Sequence, residues 1–430
     1  MKILLFLKRH YMQTIHEKVT TLINYFLILY IFLLPFNIHF STTILNIIVL
    51  LYLFSGQIKE KLLFALKHRV FQSILLFFVM YILWSLNSEQ IDTMLWKLKT
   101  YKYLFYSIIF LTIIQDPFKD KLKNAFLLAI FISEVTSLFM FTDFTIPFIH
   151  ITGYGKYVPF FYTYSQYSLL IIIAIGLSLY ELTTKSSNLK KAPYLILFLI
   201  STFTIFILDS KSSYILYFIT VFIVLYQSFQ INKKIILLFI SSVIIINTLA
   251  FTYSSTFHKR ITNIYKQLHL AINNNEYAGS TGSRIGMNLI GFQLFLQKPF
   301  IGHGTQEHID LAIKTIEDLN VSKQQKDNLL VFRNPMSPGM QTLHNEYLDH
   351  LIQFGLVGFF ILLNIFYSLY KSRIPDLQWK SLNSILLINF MLYMFVNYFF
   401  VLNQLGTIFL VLISLTITTY YNSVQRNIKE

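Results

Sequence analysis

The chain has 430 residues, of which 55% are apolar, 17% aromatic and 13% charged, and its formal net charge is +15. Soluble domains carry about a quarter charged residues, so this composition excludes an ordinary soluble protein. Many runs of about twenty apolar residues indicate a polytopic membrane protein instead. The sequence has no cysteine, which excludes disulfides, thiolate metal ligands and thiol catalysis.

An all-α fold is expected, because only helices satisfy the backbone hydrogen bonds of a spanning segment within that segment. The N-terminal basic residues precede a long apolar run with no small-residue cleavage site, which predicts a retained first span rather than a signal peptide. The apolar runs predict about twelve transmembrane helices in a single membrane domain over residues 1–430. These spans are 20–37, 42–56, 70–87, 101–115, 123–142, 165–182, 193–209, 212–228, 235–253, 350–370, 381–400 and 402–421.

Lysine and arginine lie in short clusters between the apolar runs, which is how orientation in a membrane is specified. If the N-terminus is cytoplasmic, the inner loops and both termini hold most of the 35 basic residues. The short outer loops hold only Lys97, Lys99, Lys102, Lys156 and Lys211. This asymmetry predicts that both termini are cytoplasmic and that 254–349, between spans 9 and 10, is a long periplasmic loop. Membrane lipid, not nucleic acid, is the partner that this charge pattern favours.

Two segments of the 254–349 loop have helical patterns. Residues 286–297 are apolar with few charges and are expected to lie in the membrane interface. Residues 307–320 place Ile309, Ile313, Ile316 and Leu319 on one helical face, which predicts a helix packed on the bundle. The turn-rich stretch 334–339 then leads the chain to residue 344.

The pair His344-Asn345 stands at the start of the apolar run that continues to Tyr370, and Gly355 and Gly358 follow at fixed spacing. A lone histidine at such a position is most often a polar helix end. A helix N-terminus disfavours the imidazolium form, so a histidine there also suits proton abstraction from a hydroxyl, although Glu346 has the opposite effect. Asn345 can orient the ring or the acceptor, or cap the helix. The two glycines predict close packing of a neighbouring helix.

Four basic residues lie where predicted spans or loops meet the outer face: Lys156, Lys211, Arg284 and Arg333. Each alone is explained by a snorkelling or loop charge. Together around one cavity they suit a pyrophosphate, for which arginine offers a bidentate fork and lysine a compact charge. His344 and His350 do not share a helical face and no carboxylate cluster accompanies them, so we predict no metal site.

The pattern of His344-Asn345, Gly355 and Gly358 resembles the signature of the O-antigen ligase and O-antigen polymerase superfamily of bacterial envelope glycosyltransferases. Upstream, Arg284 followed by Pro299, Gly302 and Gly304 resembles the family's arginine and its Pro-x-x-Gly-x-Gly turn. The sequence departs from the family at Lys211 and Lys156, where arginine is usual or frequent. The structural residues implied are Pro299, Gly302, Gly304, Gly355 and Gly358.

The resemblance implies a GT-C-like membrane glycosyltransferase that needs no cofactor, metal or nucleotide. It would transfer glycan from an undecaprenyl-pyrophosphate-linked donor to the lipid A core acceptor, in the bacterial inner membrane and with its active site on the periplasmic face. His344 would be the catalytic base, assisted by Asn345, and Arg284 would bind the pyrophosphate together with Lys211, Lys156 and Arg333.

An O-antigen ligase of lipopolysaccharide biosynthesis is the function that the resemblance favours first. An O-antigen polymerase uses the same donor with a second carrier-linked glycan as acceptor, and a related protein O-oligosaccharyltransferase is typically longer. A lipid or glycan transporter is the alternative from another class. It would use paired charges deep in the spans or inverted repeats, and the sequence shows neither.

Overall fold

A computed structural model describes residues 2–86, 95, 98–142, 157–160, 163–208, 210–229, 233–305, 307–330 and 342–429. Across these residues the regular structure is helical and no strand is formed, which confirms the all-α prediction. A short 3-10 helix covers Lys102–Phe105. The α-helices are α1 (Lys2–Leu33), α2 (Ile38–Leu53), α3 (Ile58–Lys67), α4 (Arg69–Ser85), α5 (Tyr106–Ile113), α6 (Asp116–Phe141), α7 (Tyr164–Thr184), α8 (Asn188–Ile207), α9 (Lys211–Ser228), α10 (Lys233–Tyr253), α11 (Ser255–Asn273), α12 (Gly279–Gln297), α13 (Glu307–Glu317), α14 (Lys323–Leu329), α15 (Glu346–Tyr370), α16 (Leu377–Tyr393) and α17 (Asn403–Lys429).

Four of the described helices, α6, α7, α8 and α15, are long and apolar enough to cross a membrane. The number rises to six if two bent pairs each count as one span: α2 with α3, bent by 109°, and α10 with α11, bent by 97°. The predicted span 101–115 is divided between the 3-10 helix and the eight-residue α5. A helical membrane protein is therefore supported, whereas the count of twelve spans stays a prediction.

Helix α7 lies at the centre of the main hydrophobic core and packs against α8, α9 and α16. Its residues from Leu169 to Ile175 are fully inaccessible to solvent, as expected for a helix that is apolar on all sides. Thr163 caps its first turn by accepting a hydrogen bond from the backbone N–H of Gln166 at 3.3 Å. The capped end of α7 opens onto the cavity described below.

A second, smaller core joins α12, α13 and α14 to the first turns of α15. It is built from buried side chains that include Met287, Ile290, Ile309, Ile316 and Ile352. Both helices predicted within 254–349 are present, although the first begins earlier, at Gly279, and the second ends earlier, at Glu317. This core fixes α12, α13 and α14 onto α15, so that these parts of the predicted periplasmic segment are packed helices rather than open loop.

Helix α15 is interrupted at Gly355, whose φ of 65° and ψ of −162° are not helical. The turn that follows α12 fills this break: Leu356 N–H donates to the carbonyl of Pro299 at 2.8 Å, and Gly304 N–H donates to that of Gln353 at 3.0 Å. A Cβ on Gly302 would lie 2.4 Å from the carbonyl carbon of Gln353. The neighbour of Gly355 is therefore a turn, not the expected helix, because the unpaired carbonyls of a broken helix need donors.

Gly358 has the helical neighbour that the sequence predicts. A Cβ there would lie 3.1 Å from the sulfur of Met80 on α4. Helices α4 and α15 run antiparallel, since Asn364 donates to Ser73 Oγ at 3.0 Å while Tyr81 is hydrogen-bonded to His350 at 3.3 Å. The glycine thus lets α4 approach the half of α15 that lies beyond the break.

One buried pair of opposite charges escaped the sequence reasoning. Lys123 of α6 forms an ion pair with Glu181 of α7, and both side chains are almost fully buried. The pair extends to Asp120 at 3.0 Å and to Lys185 at 3.1 Å, at the adjoining ends of the two helices. Its place at helix ends, rather than deep in a span, makes it a link between α6 and α7.

Candidate active site

A cavity of about 280 Å³ lies where the first turns of α7 and α9 meet the first turns of α12. His344 closes one side, and the segment between α16 and α17 closes another. Its wall is rich in hydroxyl, amide and basic side chains. The lining residues are Thr163, Tyr164, Ser165, Gln166, Ser210, Lys211, Ser212, Arg260, Ser280, Arg284, His344, Tyr393, Asn397, Tyr398 and Leu402.

Three residues singled out in the sequence, Lys211, Arg284 and His344, line this one cavity although they lie far apart in the chain. The structure therefore brings the candidate base and two candidate phosphate ligands together. The other two basic candidates, Lys156 and Arg333, lie outside the described residues.

Lys211 starts α9 and is held against the start of α12. Its ammonium donates hydrogen bonds to Ser280 Oγ at 3.0 Å and to Thr281 Oγ1 at 2.6 Å. The preceding Ser210 is hydrogen-bonded to Ser168 of α7 at 3.0 Å. These contacts connect three helices at the mouth of the cavity, and they fix the charge of Lys211 near that of Arg284.

Arg260, on α11, is a third cation of the cavity wall that sequence reasoning did not single out. The helix that carries Arg260 is amphipathic and contains several basic residues, so its sequence does not distinguish this arginine from the others. The sharp bend between α10 and α11 turns this helix toward the cavity. Three phenol rings, of Tyr164, Tyr393 and Tyr398, were likewise not predicted, because no local pattern marks them.

His344 lies just before α15, not within its first turn, and has a left-handed backbone conformation with φ of 57°. Its imidazole lies beside the ring of Tyr398, with the ring centroids 5.7 Å apart. The Nδ1 atom is buried and has no hydrogen-bond partner among the described residues. Burial, followed by the positive charge of Arg284, lowers the pKa of His344 to about 4. The ring is therefore neutral at pH 7 and able to accept a proton.

Two carboxylates from the first turn of α15 hold the backbone segments that carry His344 and Tyr398. Asp349 accepts a hydrogen bond from the N–H of Leu343 through either oxygen, at 3.1 and 3.2 Å. Glu346 accepts one from the N–H of Phe399 at 2.6 Å, which fixes the segment that carries Tyr398. The sequence suggested that Glu346 would raise the pKa of His344. In the structure this carboxylate is instead engaged with Phe399, and burial and Arg284 lower that pKa.

Asn345 is the N-cap of α15. Its side-chain oxygen accepts a hydrogen bond from Leu348 N–H at 3.2 Å, and its amide donates to Asn288 of α12 at 3.3 Å. The side chain does not belong to the cavity wall. Of the roles considered for Asn345, capping of α15 is the one for which the structure shows a hydrogen bond. The described residues contain no group of three or more His, Asp or Glu side chains placed to hold a metal ion.

Residues 196–363 match a family model described as O-antigen ligase. The match begins within α8 and ends within α15, so it includes Lys211, Arg260, Arg284, His344 and the glycines of the broken helix. No curated protein matches the chain.

Proposed function

Because residues 196–363 make this chain a member of the O-antigen ligase and polymerase superfamily, we propose that it transfers glycan from an undecaprenyl pyrophosphate carrier to the lipid A core. The observation that carries this proposal is the shared cavity of a neutral histidine and three cations. A base and a cluster of positive charge are the two elements that transfer from a pyrophosphate leaving group requires.

His344 is the general base in this proposal. Its neutral ring accepts the proton of the acceptor hydroxyl while the hydroxyl oxygen bonds to the anomeric carbon of the donor sugar. The bond from that carbon to the pyrophosphate oxygen breaks, and the electron pair leaves with the carrier. Attack opposite to the leaving group inverts the anomeric centre, and no metal takes part.

The cations stabilise the charge that develops on the leaving pyrophosphate. Arg284 and Arg260 offer guanidinium forks that bind phosphate oxygens in pairs, and Lys211 contributes a compact charge. The hydroxyls of Ser280 and Thr281 hold the Lys211 ammonium in place. Such prearranged positive charge acts most strongly in a site of lowered dielectric, and the half-buried position of Arg284 provides one.

The direct test is His344→Ala in membranes that contain equal amounts of each variant, supplied with carrier-linked glycan and lipid A core. Loss of general-base help lowers the rate by roughly 100- to 10,000-fold. His269→Ala is the matched control, because His269 is an exposed histidine on α11 that does not line the cavity. Equal product from the two variants would contradict the assignment. Chain growth with carrier-linked glycan alone would instead identify a polymerase.

A further inference from the structure

A second cavity, of about 530 Å³, lies at the opposite end of α15 from His344. Its basic side chains come from two distant parts of the chain, the α3–α4 junction and the segment after α15. The antiparallel contact of α4 with α15 brings these parts together. The basic cavity is lined by Phe64, Lys67, His68, Arg69, Ser368, Lys371, Ser372, Arg373 and Ile417.

Among the described residues, no carboxylate compensates the charge of the basic cavity, and the protein contacts of its Lys371 ammonium are the rings of Tyr367 and Tyr370. Two cations at other helix ends are paired: Lys119 with Asp116 at 3.1 Å and Lys185 with Glu181 at 3.1 Å. By contrast, no carboxylate lines the basic cavity, and no ion pair of Lys67, Arg69, Lys371 or Arg373 occurs within the described ranges. Clustered like charges repel, so an anion from outside stabilises this arrangement.

The distance between the basic cavity and the His344 cavity, measured along α15, indicates where that anion comes from. Helix α15 has 25 residues, a length of about 37 Å at 1.5 Å per residue, which the break at Gly355 shortens. This is close to the hydrocarbon thickness of about 30 Å. For an α15 that spans the membrane, the basic cavity therefore lies about one hydrocarbon thickness from the His344 cavity, at the level of the lipid headgroups.

A third cavity, of about 860 Å³, shares Lys371, Ser372 and Arg373 with the basic cavity and adds the apolar Leu387 and Ile388 of α16. A ligand held at the shared residues can therefore place a phosphate on one side and a hydrocarbon chain on the other. Free phosphate would occupy only the basic side and would leave the apolar side unfilled.

We propose that the basic cavity binds the phosphodiester headgroup of an anionic phospholipid. Guanidinium and ammonium groups are the partners that phosphate oxygens prefer, and basic residues near a membrane surface attract anionic lipid. This proposal does not depend on the transferase activity, since it concerns the other end of α15 and other residues.

The test compares lipid binding by the full-length protein in neutral detergent, with bound lipid counted by native mass spectrometry. Phosphatidylglycerol and phosphatidylcholine of equal chain length are titrated separately, and inorganic phosphate is added as a competitor. The variant is Arg69→Gln with Arg373→Gln. The control, Lys190→Gln with Lys191→Gln, removes the same charge from the start of α8, outside the basic cavity.

The wild-type protein is expected to prefer phosphatidylglycerol. The arginine variant should bind it about 30-fold more weakly, equivalent to about 2 kcal/mol at about 1 kcal/mol per basic residue. Phosphatidylcholine binding, unchanged in both variants, shows that they are folded; if the arginine variant fails this criterion, Lys67→Gln with Lys371→Gln replaces it. Equal affinity of the wild type for the two lipids, or equal loss in variant and control, overturns the proposal. Full displacement by inorganic phosphate assigns the cavity to free phosphate and also overturns it.

Discussion

Gly355→Ala tests whether the break in α15 and the turn after α12 form a single interlocked unit. Alanine strongly disfavours the φ of 65° and ψ of −162° found at this position, a region that is essentially restricted to glycine and costs about 1–3 kcal/mol otherwise. The added Cβ would also lie 2.2 Å from the carbonyl carbon and oxygen of Phe300. Both neighbours are backbone atoms, so the turn has to move as a whole.

Movement of the turn weakens four backbone hydrogen bonds that join residues 299–304 to residues 352–357. At about 1 kcal/mol each, partial loss of these bonds together with the backbone strain lowers the free energy of unfolding by roughly 3–6 kcal/mol. That is a large part of the stability of an ordinary protein, about 5–15 kcal/mol.

The assay is thermal unfolding of the purified protein in one detergent, with transfer activity measured in parallel. Gly291→Ala is the matched control, because its Cβ meets only the tips of Leu348, Ile352 and Leu343, the nearest at 2.7 Å, and alanine favours a helix interior by about 1 kcal/mol. Gly302→Ala should cost a similar amount to Gly355→Ala. The double variant should cost clearly less than the two single effects added, since both act on one contact. Gly355→Ala with a midpoint equal to that of Gly291→Ala would refute the interlock.

The remaining predictions concern the proposed active site. The acid limb of kcat/KM, which reports the free enzyme, should fall near pH 4 rather than 6.5, because burial and Arg284 lower the pKa of His344 to about 4. The unfolded chain takes up this proton first, so His344 leaves stability unchanged above about pH 6.5 and lowers it as the pH falls from there toward 4. If the acid limb instead lies at pH 6.5 and disappears in His344→Ala, the pKa of His344 is not lowered in the folded protein. Lys211→Ala and Arg284→Ala should each cost at least tenfold in activity, from about 1.5–3 kcal/mol per charge-assisted hydrogen bond. Lys211→Arg should be tolerated and Arg284→Lys should not, because only the second loses a fork; wild-type rates for both alanine variants would disprove the clamp. Asp349→Asn should lower kcat about tenfold with little change in KM, since it loosens the Leu343 contact beside His344. Asp318→Asn is its control, because Asp318 is an exposed carboxylate directly after α13. Equal kcat values for Asp349→Asn and Asp318→Asn would contradict the positioning role of Asp349.

The sequence allowed the prediction of an all-helical membrane chain and of three cavity residues, because these depend on local signals. Apolar runs, and the spacing of His344 from its glycines, are visible without knowledge of the fold. The role of Gly355 was only half predicted. A glycine signals that backbone comes close, but it does not say whether a helix or a turn is the neighbour, nor that its own helix is interrupted.

Arg260 and Tyr398 could not be predicted, because their importance arises from a bend and from a carboxylate contact made far away in sequence. The bend between α10 and α11 turns Arg260 inward, and no proline or glycine marks it. Tyr398 faces His344 because Glu346 holds the next residue's N–H. For Glu346 the sequence suggested an effect on the charge of His344, whereas the structure shows a hydrogen bond that organises another loop.

The walls of the His344 cavity have a consequence for the way the protein is made. They include residues from Thr163 to Leu402, so the ribosome synthesises them in widely separated stages. At about 5–20 residues per second, Leu402 follows Lys211 by about 10–40 s. At the same rate His344 follows Lys211 by about 7–27 s, and the cavity wall stays incomplete until Leu402 is made. The proposed active site is therefore complete only after the last part of the chain has been synthesised.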